Sequence, residues 1–193
     1  FKLRRFFNCK YINIIWDDFK FNKKKNKSKN MKKKILISTG GSGGHVIPAI
    51  TIYDHLKNNF EVIISTDHRG LNYLDVEKHK IFEIDTPKLN KSILLPYRIL
   101  KVFFLTLKSL FFFKKQKIQI LISTGGYMSL PLCFVAKILS IKIFLLEPNM
   151  VIGRANKFFL NFCEKIICYS NNIINFPKKY KNKIVISNPL IRN

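Results

Sequence analysis

Seven short apolar segments recur along this chain, and they constrain its fold more than any other feature of the sequence. Each segment is rich in Ile, Val and Leu and forms a near-continuous apolar run, which is typical of parallel strands covered on both faces. The segments are residues 34–39, 61–65, 81–84, 119–123, 142–146, 165–169 and 183–186. Longer helix-like stretches separate most of them. A series of strand, helix and strand predicts an α/β fold with a doubly wound, mostly parallel sheet.

Composition narrows the class of protein only slightly. The 193 residues suffice for one domain, and 47% hydrophobic residues provide for a core. The net charge of +24 suits three partners: nucleic acid, an anionic membrane surface or a phosphate-bearing substrate. A general bias toward Lys, Asn, Ile and Phe explains the charge equally well. Nucleic acid is not predicted as a partner, because the sequence has no recognition motif and its aromatic residues lie within apolar runs.

The first 30 residues differ from the others. Segment 22–34 is polar, basic and low in complexity, which predicts a disordered region or a linker. We interpret Met31 as the start of a domain 31–193, and residues 1–30 as a basic extension that is disordered or not native. The cysteines form no CxxC pair, so we predict reduced structural thiols in a cytoplasmic protein and no metal site. They are Cys9, Cys133, Cys163 and Cys168.

A glycine-rich loop follows the first predicted strand. Residues 38–45 read Ser-Thr-Gly-Gly-Ser-Gly-Gly-His, and glycines let backbone amides approach a ligand closely. A loop of this kind that opens a helix predicts an anion site, because free N–H groups and the positive end of the helix dipole point at the ligand. The phosphate-binding candidates are Gly41, Ser42, Gly43 and Gly44. The alternative is a tight turn that binds nothing.

His45 is the titratable group of this loop. Its reference pKa of about 6.5 suits a general base near neutral pH. The alternative is a histidine that only positions its neighbours through hydrogen bonds.

Two later strands are followed by loops with related chemistry. Residues 123–131 read Ser-Thr-Gly-Gly-Tyr-Met-Ser-Leu-Pro, and the amides of Gly125 and Gly126 offer a second anion site. After the next strand, Glu147 and Asn149 stand where a sugar hydroxyl could be held, although a turn and a helix cap explain them as well. Ligands of such sheets bind outside the carboxyl ends of the strands, so we expect all three loops along that edge of the sheet, which we call the rim.

The first loop fits two other kinds of nucleotide site poorly. A P-loop is excluded, because no Gly-Lys-Ser/Thr follows the glycines. A dinucleotide site is disfavoured, because the spacing gives no clean G-x-G-x-x-G. Asp67 lies near the end of the second strand, however, so a nicotinamide-dependent oxidoreductase stays open as an alternative.

The order and spacing of the three loops resemble the MurG family of bacterial glycosyltransferases, within glycosyltransferase family 28. The run 187–192, Ser-Asn-Pro-Leu-Ile-Arg, is similar to that family's interdomain hinge. The resemblance implies a GT-B fold, in which 31–193 is the Rossmann-like N-terminal domain and the C-terminal domain is absent from this chain. Pro148 and Leu130 depart from the family's usual Gln and Gly, and Arg192 comes one residue late.

The resemblance also implies an activity. It implies inverting transfer of N-acetylglucosamine from UDP-N-acetylglucosamine to an undecaprenyl-linked muramyl-pentapeptide (lipid I to lipid II) in peptidoglycan biosynthesis, with no cofactor. This chain would supply the acceptor-binding half, with His45 as base or positioning group. Tyr127, Ser129 and Asn156 would join the acceptor-binding residues. The donor would bind mainly to the missing domain, so the chain alone is expected to be inactive without a donor domain in cis or in trans. The alternative is a non-catalytic, membrane-anchoring subunit of a split enzyme.

Segment 93–113 is strongly apolar but carries three basic residues and Pro96. Each charge at the centre of a bilayer costs about 2.5–3.5 kcal/mol, so we predict a helix that lies in the membrane interface. The alternative is a core helix with solvated lysines. The predicted membrane-facing residues are Arg98, Lys101, Phe104, Lys108 and Phe112. Together with the resemblance, they imply a peripheral protein on the cytoplasmic face of the inner membrane.

Overall fold

The computed structural model describes residues 32–189 of the chain. The predicted extension 1–30, together with Cys9 and Met31, lies outside the described residues, as do Leu190, Ile191 and Arg192 of the hinge-like run.

Seven strands form one parallel sheet in the order β3-β2-β1-β4-β5-β6-β7. The strands are β1 (Lys34–Ser38), β2 (Glu61–Thr66), β3 (Ile81–Glu83), β4 (Ile118–Ser123), β5 (Lys142–Glu147), β6 (Lys165–Cys168) and β7 (Ile184–Ile186). Every predicted segment coincides with one of these strands to within one residue at each end. The predicted α/β class with a doubly wound parallel sheet is therefore confirmed.

Helices cover both faces of this sheet. Within residues 32–189 they are α1 (Gly43–Leu56), α2 (His68–Leu71), α3 (Leu95–Gln116), α4 (Ser129–Ile138), α5 (Arg154–Phe159) and a 3₁₀ helix (Lys178–Lys183). Helix α1 packs on one face through Ala49, Ile52 and Leu56. Helices α3, α4 and α5 pack on the other face, where Phe113 and Phe159 are buried.

Strand β1 shows why the strands read as continuous apolar runs. Successive side chains of a strand point to opposite faces. Ile35 and Ile37 belong to the core cluster beneath α1, and Leu36 belongs to the cluster beneath α3 and α4. With helices on both sides, every position of the strand must be apolar to be buried without cost.

The strand order reverses between β1 and β4. The chain moves outward from β1 to β2 and β3, returns through α3 to β4, and continues outward to β7. At such a point the connections leave toward opposite faces, and a ligand crevice opens at the carboxyl ends of the strands. Ser38 pairs with Ser123 in register, so the first two glycine loops begin side by side at this crevice.

Helix α3 leaves much of its apolar surface uncovered. Within this 22-residue helix, only Val102, Ser109 and Phe113 are buried, and Phe104 is 59% exposed. Lys101 and Lys108 are exposed, and the Lys108 ammonium lies 5.8 Å from the centre of the Phe82 ring.

The prediction that Phe112 faces a membrane is wrong. Its ring is half-buried and stacks on Phe82, with 3.8 Å between the ring centres. The adjacent Phe111 is 72% exposed. Neighbouring residues of a helix lie about 100° apart around its axis, and the seating of α3 on the sheet turns Phe111 outward and Phe112 inward.

No helix among residues 32–189 combines the length and the apolar character needed to cross a membrane.

The described cysteines behave as core residues. Cys133, Cys163 and Cys168 are free and buried, which agrees with the prediction of reduced structural thiols. Burial raises the pKa of Cys133 to about 12, so its thiol stays protonated and unreactive at neutral pH.

Lys183 is predicted to stabilise the end of α5. Its ammonium donates to the carbonyls of Leu160, Asn161 and Cys163 at 2.9, 3.1 and 2.6 Å. Replacing it by Met leaves these carbonyls without their donor, so we expect Lys183→Met to lower the free energy of unfolding by about 2 kcal/mol. Urea denaturation measures this change. Lys181→Met, a change at an exposed lysine of the same 3₁₀ helix, is the control, and equal losses in the two variants would contradict the prediction.

Candidate functional site

The first two glycine loops begin at two threonines that are hydrogen-bonded to each other. The Thr124 hydroxyl donates to the Thr39 hydroxyl at 3.0 Å, and the Thr124 amide donates to the Ser38 carbonyl at 2.9 Å. Both threonines are fully buried. Since each threonine directly precedes a glycine pair, this contact fixes the start of one loop against the start of the other.

His45 bridges the two loops. Its Nδ1 lies 2.6 Å from the carbonyl oxygen of Thr124. A carbonyl can only accept, so Nδ1 carries the proton and Nε2 of the neutral ring keeps its lone pair. His45 is the third residue of α1, so its ring joins the start of this helix to the second loop and keeps Nε2 as the nitrogen that can accept a proton.

The N-terminus of α1 offers three backbone donors. The amides of Ser42, Gly43 and Gly44 donate to no other described residue, whereas those of His45 and Val46 donate to the Ser42 carbonyl. The Ser42 side chain makes no capping hydrogen bond. These groups and the helix dipole favour an anion at this position.

Gly41 departs from its predicted role as a phosphate-binding amide. Its N–H donates to Asp67 Oδ1 at 2.9 Å, so it anchors the loop to the end of β2 and offers no hydrogen to a ligand. Gly40 has a φ of +154°, and a Cβ there would lie 2.8 Å from Met128 of the second loop. Only glycine allows the two loops to approach this closely.

The second loop presents less to a ligand than its sequence predicts. The Gly125 amide donates to the Ser123 hydroxyl at 3.1 Å, and the buried Ser129 hydroxyl donates to the Gly126 carbonyl at 2.7 Å. Tyr127 packs against the core beneath α3 and α4. A Cβ on Gly126 would meet nothing within 4 Å. The space beside Gly126 is therefore open, whereas Gly125 and Ser129 use these groups to hold the turn and Tyr127 packs on the core.

Glu147 lies inside the third loop instead of at its surface. The side chain is 1% exposed and accepts from the Asn149 amide, Asn149 Nδ2, Gly153 N and Asn156 Nδ2 at 3.2, 3.0, 2.7 and 3.0 Å. Four donors occupy the lone pairs of both oxygens. The predicted direct contact between Glu147 and a sugar hydroxyl is thereby contradicted, and the carboxylate instead sets the positions of the two asparagines.

The two asparagines each keep a group for a ligand. Asn149 is exposed, and its side-chain bond to Glu147 uses Nδ2 and not Oδ1. Asn156 is 2% exposed, and its Oδ1 has no partner within the described residues. Asn156 Nδ2 would lie 3.1 Å from a Cβ placed on Gly125. An unpaired buried acceptor beside a glycine loop is a position where a ligand donor or a water completes the hydrogen bonding.

Asp67 is a structural residue of this rim. It is 2% exposed, and it also accepts from Gly70 N at 3.0 Å and from the Arg69 guanidinium at 2.8 Å. Burial by itself raises the pKa of Asp67, but the hydrogen bonds from Gly41, Arg69 and Gly70 outweigh it and hold the pKa below its usual value. With its oxygens engaged, the carboxylate has no capacity left for a ribose hydroxyl, which argues against the dinucleotide alternative.

Asp67→Asn is expected to flatten the acid dependence of stability. The folded pKa lies below the unfolded value of about 3.9, so the carboxylate stabilises the fold above that pH and loses this effect as the pH falls through the lowered pKa. At neutral pH the variant should be less stable by roughly 1–3 kcal/mol. Urea denaturation between pH 7 and pH 2 measures both effects. The exposed Asp54→Asn is the control, and an acid slope in Asp67→Asn as steep as in the parent would contradict the prediction.

Within residues 32–189, no group of three or more His, Cys, Asp or Glu side chains is placed to hold a metal ion.

Sequence reasoning missed the contacts that organise this rim. A signal existed for the threonines, because Ser-Thr-Gly-Gly occurs at both 38–41 and 123–126, and equivalent residues of neighbouring parallel strands stand side by side. No spacing rule pairs Asp67 with Gly41.

Known proteins are similar to this chain in sequence and in fold. Residues 35–168 match the glycosyltransferase family 28 N-terminal domain. A Pelagibacter ubique (strain HTCC1062) protein is 55% identical over 163 residues, which are 84% of this chain and 46% of that protein. It is named UDP-N-acetylglucosamine--N-acetylmuramyl-(pentapeptide) pyrophosphoryl-undecaprenol N-acetylglucosamine transferase. A Rickettsia canadensis (strain McKiel) protein of the same name is 34% identical over 161 residues, covering 83% of this chain and 45% of that protein.

Solved structures show the same fold. Acinetobacter baumannii MurG superposes with a TM-score of 0.67 at 23% identity, covering 80% of this chain and 45% of that structure. The chain thus spans about half the length of the relatives and of the solved structure that it matches.

Proposed function

This chain belongs to glycosyltransferase family 28, and from that premise we propose that it forms the acceptor-binding half of an N-acetylglucosaminyltransferase of peptidoglycan biosynthesis. The names of its relatives specify UDP-N-acetylglucosamine as donor and an undecaprenol-linked muramyl-pentapeptide as acceptor. The donor-binding half is a domain acting in cis or in trans. The observation that carries the proposal is that His45 lies at the start of α1 together with three backbone amides that have no partner among residues 32–189, next to the crevice between β1 and β4.

The acceptor's pyrophosphate is the ligand of the first loop. Two negative phosphates match the amides of Ser42, Gly43 and Gly44 and the positive end of the α1 dipole. Gly126, beside which the space is open, and the exposed Asn149 follow the carboxyl ends of β4 and β5, where the sugar attached to the pyrophosphate would extend.

His45 acts on the acceptor hydroxyl. As this oxygen forms its bond to the anomeric carbon, the carbon–oxygen bond to UDP breaks, UDP leaves with the electron pair, and Nε2 takes the hydroxyl proton. The hydrogen bond from Nδ1 to the Thr124 carbonyl orients the ring and stabilises the imidazolium that forms. A single displacement of this kind inverts the anomeric centre.

The partner of the exposed face of α3 is an anionic lipid surface. This face carries apolar side chains that the domain leaves uncovered: Tyr97, Ile99, Leu100, Phe103, Phe104, Leu107 and Phe111. The helix contains Arg98, Lys101 and Lys108 and no acidic residue. Each such cation near an anionic surface contributes about 1 kcal/mol. Attachment at the cytoplasmic leaflet brings the crevice to an acceptor whose lipid tail stays in the membrane.

A transfer assay tests the proposed activity. The chain would be fused to the C-terminal half of the Pelagibacter ubique relative, and radiolabelled N-acetylglucosamine would be followed from UDP onto a short-chain lipid-linked muramyl acceptor. We expect transfer by the fusion and by the two halves mixed in trans, and none by either half alone. A fusion that folds but neither transfers the sugar nor binds the acceptor would contradict the proposal.

Vesicle binding tests the lipid partner separately. Phe111→Ser removes an exposed aromatic side chain from α3, and burial of that side chain in the membrane is worth roughly 1.5–3 kcal/mol. We therefore expect the affinity for phosphatidylglycerol vesicles, measured by sedimentation, to fall at least about tenfold. The control Ile174→Ser changes an apolar residue outside α3 that is also exposed. Equal binding by both variants, or equal binding of the parent to neutral vesicles, would contradict the lipid partner.

A further inference from the structure

Arg69 lies directly beside the first glycine loop, and the function proposed above gives it no role. Its Nη2 is 3.5 Å from the position of a Cβ on Gly41, so the guanidinium packs against the backbone of the loop. The side chain is 49% exposed, and Nη1 donates to no other described residue. The loop itself, residues 39–45, contains no Lys or Arg. Arg69 therefore adds a cationic side-chain donor, ion-paired with Asp67, beside a loop that otherwise offers backbone donors.

One buried carboxylate fixes the direction of this charge. Arg69 Nε and Nη2 donate to Asp67 Oδ2 at 3.0 and 2.8 Å, while Oδ1 of the same carboxylate accepts from the Gly41 amide at 2.9 Å. The guanidinium and the loop are thus held to a single anchor. Arginine side chains lose rotamer freedom when they bind a ligand, and this anchor restricts that freedom before the ligand arrives.

We propose that Arg69 binds a phosphate oxygen of the diphosphate held by the first glycine loop, and that Asp67 is the positioning residue for it. The inference rests on the proposed function, since it takes this loop as a diphosphate site. Arginine suits the role because its planar fork stays charged and can keep one edge on a carboxylate while the other meets a phosphate. The amides of Ser42, Gly43 and Gly44 would hold the remaining oxygens.

Calorimetric titration of the 193-residue chain tests the proposal. A diphosphate is common to a lipid-linked acceptor and to a nucleotide-sugar donor, so one arm uses geranyl diphosphate and the other uses UDP. We expect the parent to bind geranyl diphosphate, and Arg69→Gln to bind it about tenfold more weakly, as for one lost hydrogen bond between charged groups. Arg69→Lys keeps the charge without the fork and should recover part of the affinity. Lys115→Gln removes the same charge from an exposed site at the end of α3 and should bind as the parent does.

The outcomes separate this inference from the proposed function. Equal affinities of the parent and Arg69→Gln overturn the inference and leave the proposed function standing. If Arg69→Gln lowers the thermal midpoint in proportion to the affinity, the inference is also overturned, because the residue would then act only by supporting the loop. A parent that binds neither diphosphate removes the proposed function and the inference together. If the affinity for UDP depends on Arg69 and the affinity for geranyl diphosphate does not, Arg69 is supported as a diphosphate ligand. The assignment of the loop to the acceptor is then overturned.

Discussion

His45→Asn in the fused transferase is expected to lower kcat by about 10²–10⁴-fold, the usual contribution of a general base. The asparagine Nδ2 replaces Nδ1 as donor to the Thr124 carbonyl, 2.6 Å away in the parent. The variant therefore keeps the contact between the loops and loses only the nitrogen that accepts the proton. Initial rates of sugar transfer, with both substrates saturating, measure the effect.

The same helix provides a matched control. His55 lies in α1, and its Nδ1 is 2.6 Å from the Thr51 carbonyl, so His55→Asn makes the same chemical change away from the crevice. We expect it to keep the parent rate. The thermal midpoint of His45→Asn should stay within about 4 °C of the parent, a change of roughly 1 kcal/mol or less. If His45→Asn keeps a rate within threefold of the parent, His45 is not the base.

Glu147→Ala is expected to produce the largest loss of stability among the changes considered. The substitution removes the acceptor of the four hydrogen bonds that organise the third loop. Each buried donor left unsatisfied costs about 1–3 kcal/mol, and partial rescue by water leaves a net loss of about 3–4 kcal/mol. For a domain of this size that loss corresponds to a fall of roughly 10 °C in the thermal midpoint. Calorimetry and urea denaturation measure it.

Two further variants show whether the loss comes from the hydrogen bonds. Glu147→Gln preserves the size of the side chain but turns one oxygen into a donor, and in either orientation this new donor faces two of the four donors. It should therefore lose most of the same stability. Glu164→Ala removes an exposed carboxylate and should change stability by less than about 0.5 kcal/mol. A loss below about 1 kcal/mol in Glu147→Ala would show that this network contributes little to the fold.

The sequence by itself determined the class of the sheet and the edge of the sheet at which the candidate site is proposed. Apolar runs of strand length with helix-length spacing leave few arrangements other than a doubly wound parallel sheet. Parallel strands carry their carboxyl ends to one edge, so the glycine loops after β1 and β4 had to share a rim. The choice of His45 follows from its place in the first loop. These features depend on local periodicity and on a general rule of topology.

Only the tertiary structure decided how the groups on that rim are used. Gly41 and Glu147 were both predicted to bind ligand, yet the first gives its amide to Asp67 and the second is enclosed by its own loop. Phe111 and Phe112 are equally apolar in sequence, and the seating of α3 on the sheet exposes one and buries the other.

The physical reason is the range of the interactions. Gly41 and Asp67 are 26 residues apart, and His45 and Thr124 are 79 residues apart. No periodic pattern records such pairs. A polar group on a loop has the same local sequence whether its hydrogen-bond partner is the protein or a ligand, and the packed fold alone determines which of the two it meets.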